Sequence, residues 1–442
     1  MKFELYQTKE LLTTHAGLAM VGNILPHTRL IQRLNKMSLP GIINPQISNS
    51  DCAVAYIGLL CQGKNDFDHI ENFREDSFFQ CSLGLEQVPS SPTLRQRFDK
   101  VKNYWNGIVM EESARMLKHA NAAITPCHGK LVPLDIDVSP FDNSGTKKEG
   151  VSRTYKGHDG YAPIFSYLGE AGYCINTELR EGKAHSQNNT AEYLTKTIKY
   201  AKSITEQPLL VRMDSGNDSL DNIKVCLSED TKADFIIKRN LRKESRQGWL
   251  VTAQQHGICC LEREGKNVYV GDLFTKRKDS DKKEYNLRMV FMVIERTIDR
   301  TGQLLLEPEI EVAAYWTSLP DAPYKIIELY RAHGTSEQFH SEIKSDMDLE
   351  RLPSGKFETN NLILHLGVLA YNILRLIGQE SVKRPDAPLR SKVQRRRIRT
   401  IIQNLITIAA KVVFHARRYA LGFSRYCPWF TPFNRVYSAL LA

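Results

Sequence analysis

The order of short apolar runs between residues 131 and 238 constrains this chain more than any other feature. Leu131–Val138 reads as a strand, and Ala162–Leu168 with Tyr173–Leu179 as a hairpin turning at Gly169–Gly172. Asn189–Ser203 reads as a helix, Pro208–Met213 as a strand, Asn217–Leu227 as a helix and Ala233–Lys238 as a strand. Three strands followed by helix, strand, helix, strand predict a mixed α/β sheet. Residues 241–311 interrupt that order. The runs Trp249–Ala253, Gly257–Glu262, Asn267–Leu273 and Leu287–Glu295 predict short strands with polar turns, a β-rich insertion.

The core resumes with an apolar strand over Val312–Trp316, then a helix with Asp321 as N-cap and Pro323 in its first turn, where a missing N–H costs nothing. Tyr330, Glu337 and Lys344 recur every seven residues on that helix, so they drift by only about 20° per step. His333 lies on or near the same stripe, while Ala332, Phe339 and Ile343 fall on the other side and can face a core. Gly334, and a capping-box pair at Thr335 and Gln338, allow the helix to restart there. The stripe reads either as a solvated face or as a carboxylate, a phenol and an ammonium gathered for a metal and a phosphate chain.

Three carboxylates give the second reading its chemistry. Asp137 closes the first strand, Asp214 follows the strand Pro208–Met213, and Glu337 sits on the later helix. Ligands of open α/β sheets gather beyond the carboxyl ends of strands. Three such groups can hold two Mg²⁺ or Mn²⁺ ions about 4 Å apart for phosphodiester chemistry, and oxygen-only ligands favour hard cations. Strand-end aspartates also cap helices, and Asp214 could cap the one at Asn217. Asp135 competes with Asp137; the strand is expected to end between them, leaving Asp135 pointing the other way.

The chain has 442 residues with 60 Lys and Arg against 50 Asp and Glu, a surplus that favours a polyanionic partner. Nine cysteines, none in a C-x-x-C pair, suit a reducing cytoplasm better than a disulfide framework or a zinc site. The N-terminus lacks the apolar region of a signal peptide. Leu362–Ile377, the most apolar stretch, contains His365, Asn372 and Arg375, so a buried helix is expected rather than a membrane span.

Residues 1–125 read as mostly helical, with an amphipathic helix over Asp66–Phe79. Ser91 can cap a further helix, with Pro92 at its first position. That helix would expose Arg95 and Arg97 as a helix-turn-helix recognition helix does, or simply present a polar face. Residues 381–442 are read as a helical, basic terminus. Lys383, Arg384, Arg390, Lys392, Arg395, Arg396, Arg397, Arg399, Lys411, Arg417 and Arg418 are opposed there only by Asp386, which points to phosphate contact.

These motifs together resemble bacterial insertion-sequence transposases of the DDE type, in the group with a Tyr-Arg-Glu-Lys signature. Tyr330, His333, Glu337 and Lys344 stand at the signature's spacing, with His in place of Arg and Arg331 nearby as a substitute. The segments from Asp135 to Pro163 and from Val211 to Ile223 resemble the first- and second-aspartate regions; Val138-Ser139 favours Asp137 over Asp135. The resemblance spans roughly residues 47–378. It implies an RNase H-like core at 126–240 and 312–380, a β insertion at 241–311, a DNA-binding region at 1–125 and a basic C-terminus at 381–442. It implies that Asp137, Asp214 and Glu337 are catalytic and hold two Mg²⁺ or Mn²⁺ ions. It places Tyr330, Arg331, His333 and Lys344 on DNA phosphates. The implied partners are the double-stranded transposon ends and target DNA, in a homodimeric synaptic complex at the nucleoid. Arg95 and Arg97 are then expected on base edges and Arg395, Arg396 and Arg397 on phosphates. Trp249 is expected either to stack on an extruded base or to pack a small core.

Overall fold

A computed structural model describes residues 1–41, 45–299, 301–391 and 393–441, so Lys392 of the basic run lies outside the described residues. The core is a nine-stranded sheet. Its strands are β1 (Val132–Val138), β2 (Ile164–Leu168), β3 (Tyr173–Glu178), β4 (Leu209–Met213), β5 (Asp234–Lys238), β6 (Gly257–Arg263), β7 (Lys266–Lys278), β8 (Glu284–Ile298) and β9 (Leu304–Thr317). They lie in the order β6-β7-β8-β9-β5-β4-β1-β2-β3. β1, β4 and β5 run parallel, β2 is antiparallel to β1, and β3 is antiparallel to β2, giving the mixed sheet the sequence order predicts. The crossover helices Thr190–Ile204 and Leu220–Leu227 occupy the places expected of them.

The β insertion is an extension of this sheet rather than a separate layer. Tyr315, Trp316 and Thr317 of β9 pair with Lys238, Ile237 and Ile236 of β5. The insertion departs from expectation at its start, where Arg246–His256 is an α-helix and not a strand. Ser245 caps it by accepting from the Gly248 N–H. Trp249, Leu250 and Ala253 are buried while Val251 is exposed, a helical stripe that the β-favouring composition of Trp249–Thr252 conceals.

The 26-residue helix Phe357–Val382 crosses behind the sheet. It is long and apolar enough to cross a membrane by length and composition, with mean hydropathy 1.4, but 94% of that window is buried inside the protein. Its Asn372 holds β3 directly: Oδ1 accepts from the Cys174 N–H at 2.9 Å and Nδ2 donates to the Cys174 carbonyl at 2.6 Å. An outer strand with one open side thus has its backbone groups satisfied by a core side chain.

The N-terminal region is helical but divided differently from expectation. Asp66–Phe79 splits into a 3₁₀ turn, Phe67–Phe73, and a helix from Ser77, and Ser90 rather than Ser91 caps the helix Ser91–Val101. The C-terminal region is not wholly helical. Helical turns over 398–406 and the helix Phe430–Ala439 flank a hairpin of β10 (Ala410–His415) and β11 (Arg418–Phe423), whose β10 pairs with Leu11–Thr13. Its turn is Ala416-Arg417, both with positive φ, so the Asn-Gly type of signal that marks such hairpins in a sequence is missing.

We expect Asn372→Leu to leave the Cys174 N–H and carbonyl without partners, at about 1–3 kcal/mol for each stranded group. Hydrogen exchange over Tyr173–Glu178 should accelerate and the thermal midpoint fall. Exchange at the wild-type rate would refute the role of Asn372 as the fastening of this strand.

Candidate active site

Asp137 and Asp214 each lie one residue beyond a paired position: Ile136 of β1 is in register with Met213 of β4. Parallel pairing therefore sets the two carboxylates side by side at the sheet's carboxyl edge. Asp214 does not cap the following helix, which Ser219 caps instead; Asp214 Oδ1 accepts from Asn217 Nδ2 at 2.7 Å. Burial, with the neighbouring Asp137 charge, raises the Asp214 carboxyl above its ordinary range. Burial opposes the charge on Asp137 as well, but the His340 hydrogen bond leads a group of contacts that outweigh it and hold that carboxyl low.

Glu337 arrives on a helical segment assembled from four pieces: Pro323–Arg331, a 3₁₀ turn Ala332–Thr335, Ser336–Ser341 and a π turn Glu342–Asp346. The segment neither starts nor restarts as expected. Asp321 pairs with His128 rather than capping, and Thr335 keeps helical torsions with no capping bond. Phe339 and Ile343 face the core, while Ala332 is exposed. Phe339 packs so closely on Gly172 in the β2–β3 turn that a Cβ there would come within 2.3 Å of its ring. That contact, with φ +71 at the glycine, seats the segment over the sheet edge.

The result is a cleft of about 740 Å³ lined by Asp137, Asp214, Glu337, Tyr330, Arg331, His333, His340 and Lys344, with Tyr155 and Lys156 from the loop after β1. The Tyr155 hydroxyl donates to the Val138 carbonyl at 3.2 Å. Burial and then the charges of Asp137, Asp214 and Glu337 push its phenol up to about 12, so one phenol lies within electrostatic reach of all three carboxylates. They do not close into a nest: among the described residues no group of three His, Cys, Asp or Glu is placed to hold an ion. Asp137 and Asp214 are like-charged neighbours, and Glu337 is exposed at the cleft wall; this oxygen-only donor set suits a hard divalent cation.

Asp135 departs from expectation. β1 stays regular through Val138, so Asp135 and Asp137 share a face, one step apart in depth. Asp135 is buried and held by Arg212, which donates from Nε at 2.6 Å and Nη2 at 2.7 Å, and by His333 Nδ1 at 2.9 Å. Burial alone would raise the Asp135 carboxyl, but the Arg212 guanidinium and then His333 hold it below the ordinary range. His333, expected on phosphate, is committed to this carboxylate. His340, which sequence reasoning missed, places Nε2 3.3 Å from Asp137 Oδ2 and Nδ1 3.1 Å from the Tyr167 hydroxyl. Its position three residues after Glu337 was the available signal.

Several residues expected on DNA outside the cleft are engaged by partners within the protein, and Arg97, Arg396 and Trp249 are buried. Arg97 is buried, donating to Asn49 Oδ1 at 2.7 Å and the Ile47 carbonyl at 2.9 Å, so it reaches no base edge. Arg95 is part-exposed and paired with Asp68 at 3.0 Å. Arg395 donates to both Glu342 oxygens at 2.9 Å, and Arg397 pairs with Asp346 at 2.8 Å. Arg396 is buried, its guanidinium 4.3 Å from the centroid of Trp429. Trp249 is 8% exposed; its ring centroid lies 5.9 Å from that of Phe291 and its indole N–H donates to Glu244 at 2.9 Å, so it is packed rather than open to a base.

The family model for the Transposase DDE domain group 1 matches residues 7–442. The chain belongs to the DDE transposases. As a member of that family it is a DNA transposase, an enzyme of DNA cleavage and strand transfer on an RNase H-like fold, and the family works with divalent metal ions. Among solved structures, the chain is similar to a piggyBac transposase in a synaptic complex with hairpin DNA, at 12% identity and TM-score 0.41, covering 90% of this chain and 82% of that one. No curated protein matches.

Two outcomes follow from the inward-turned side chains. Trp249→Ala should lower stability by about 3–5 kcal/mol, as for a core aromatic, while the fluorescence of 2-aminopurine near a bound transposase-cut end stays unchanged; a changed signal without destabilisation would return Trp249 to the DNA. Glu342→Gln leaves Arg375 and Arg395 around a neutral group in the core and should cost about 3–5 kcal/mol in unfolding free energy. A loss near zero in chemical denaturation would show that the pairing holds nothing.

Proposed function

We propose that Asp137, Asp214 and Glu337 are the catalytic carboxylates of this transposase, acting on the double-stranded ends of an insertion sequence and joining them to target DNA. The observation carrying this reading is that one cleft holds all three, together with Tyr330, Arg331 and Lys344. Bound to these carboxylates, a pair of Mg²⁺ or Mn²⁺ ions would supply an activated attacking oxygen and charge compensation at the leaving oxygen.

The remaining side chains orient the substrate. Burial and the nearby Asp214 keep the Tyr330 phenol protonated, so it donates to phosphate rather than repelling it. Arg331 is exposed at the cleft wall, and its planar fork matches a phosphate. Lys344 Nζ donates to the Pro140 carbonyl at 2.5 Å, which aims the ammonium at the strand carrying Asp137. His340 steadies Asp137 at Oδ2 and the Val138 N–H donates to its Oδ1, which fixes the carboxylate in the cleft. The Arg212–Asp135–His333 network below gives His333 a positioning part, leaving Arg331 in place of the signature arginine. Two copies, one at each transposon end, make the synaptic complex.

Asp137→Asn, Asp214→Asn and Glu337→Gln should each reduce cleavage and joining by at least about 10³-fold, the scale of losing a main electrostatic element of a catalytic site. Binding of end DNA should remain measurable, and chelation of divalent ions should abolish chemistry in the wild type. Wild-type cleavage by any one variant removes that residue from the site, and nicked products without joined ones would make the enzyme a nuclease.

A further inference from the structure

From Ala387 to the last residue the chain contains no Asp or Glu, so its arginines and lysines must find carboxylates elsewhere or stay unpaired. Several find them: Arg395 on Glu342, Arg397 and Arg399 on Asp346, Arg435 on Asp386 and Lys411 on Glu10. Arg417 and Arg418 do not: among the described residues neither has a carboxylate within 4.0 Å. Both sit at the tip of the β10–β11 hairpin, where the pair His415 and Arg418 closes the turn.

That tip is strained and apolar as well as basic. Ala416 and Arg417 hold φ of 49° and 63°, a left-handed pair that ordinarily calls for Asn-Gly. Strain of this kind persists where something besides local stability selects it. Directly below the turn Phe414 and Tyr419 face each other across the ribbon, ring centroids 4.7 Å apart, and stay 62% and 57% exposed. Ala410 and Val412 on the same face are buried, so the ribbon leaves the protein body partway along its length. It carries an aromatic pair and two uncompensated guanidinium groups into solvent.

We propose that this ribbon is a DNA-binding element separate from the cleft. Arg417 and Arg418 contact phosphates along a groove of double-stranded DNA, and the Phe414–Tyr419 face packs on the sugar edges. A two-stranded ribbon fits a major groove about 12 Å wide, and a guanidinium matches phosphate geometry. The absence of any acidic residue after Asp386 supplies the charge complementarity, and on the hairpin it comes with exposed aromatics, whereas Arg395 and Arg396 are turned to Glu342 and Trp429. The proposal rests on the chain acting on DNA, and adds the place where that DNA is held.

The test is fluorescence anisotropy of the full-length protein on a labelled random-sequence duplex across a salt series. Removing both contacts in Arg417→Ala/Arg418→Ala should flatten the log–log salt slope by about 1.8, at 0.9 per phosphate, and weaken binding at least about tenfold near 0.1 M salt. Phe414→Ser/Tyr419→Ser should weaken binding with the slope unchanged. Ala416→Gly, which suits the turn's torsions, should leave both unchanged and reports that the hairpin itself is intact. Wild-type slope and affinity in the arginine variant would overturn the ribbon's role while leaving the cleft reading untouched. Light scattering in which the aromatic variant loses self-association but keeps wild-type DNA binding would also overturn it, by assigning the ribbon to a second copy. A wild-type protein that binds no duplex at all would sink both the DNA-acting reading and this one.

Discussion

The buried pair of Arg212 and Asp135 is the interaction on which the site depends. It joins β1 to β4 through two charged hydrogen bonds, and Arg212 Nη1 donates further to the Leu329 carbonyl at 2.7 Å on the glutamate segment. His333, from the same segment, closes on Asp135. The three parts of the chain that bring Asp137, Asp214 and Glu337 are thereby tied at one point directly beneath the cleft. Burying these charges unpaired would cost several kcal/mol per ion, so the network tolerates only the arrangement in which all three segments are docked. Above this network the two cleft aspartates stand side by side, Asp137 held low by His340 and Asp214 raised by burial and the Asp137 charge.

A second set of ion pairs holds the far end of that segment. Glu342 and Asp346 stand at the two ends of its π turn, and the C-terminal arginines reach them from residues far away in sequence. Arg375 from the long central helix meets Glu342 from the other side. Glu337 and Lys344 thus project from a segment pinned below by Arg212 and Asp135, seated on Gly172 through Phe339, and clamped at its end by the basic terminus. Irregular turns flank the piece that carries Glu337, 3₁₀ at Ala332–Thr335 and π at Glu342–Asp346; on it Phe339 points inward and Glu337 stands exposed at the cleft wall.

Much of this order is legible in the amino-acid chain alone. Apolar runs of strand length separated by amphipathic helices predict β1 to β5 and their crossovers because burying both faces of a parallel strand leaves a continuous apolar signature. The spacing of Tyr330, Glu337 and Lys344 predicts a shared face because it is a local, helical property. Trp249–Ala253 misleads for the converse reason: its residues favour strands by composition, while packing on β7 and β8 and a Ser245 cap decide for helix. The hairpin at Ala410–Phe423 escapes because its turn carries no glycine or asparagine, and only pairing with Leu11–Thr13 reveals a sheet there.

The sequence by itself determined the mixed α/β class, the three carboxylates worth considering, and a basic terminus opposed by Asp386 alone. These follow from composition and short-range periodicity, which need no knowledge of distant neighbours. Only the tertiary structure decided which charges face solvent. Asp135 and Asp137 are two residues apart on one regular strand, yet one is consumed by Arg212 and His333 and the other faces the cleft. Arg395, Arg396 and Arg397 are as basic in the chain as Arg417 and Arg418, yet the first three meet Glu342, Trp429 and Asp346. The difference is where a partner lies after folding, and partners separated by thirty or more residues leave no mark on either local sequence.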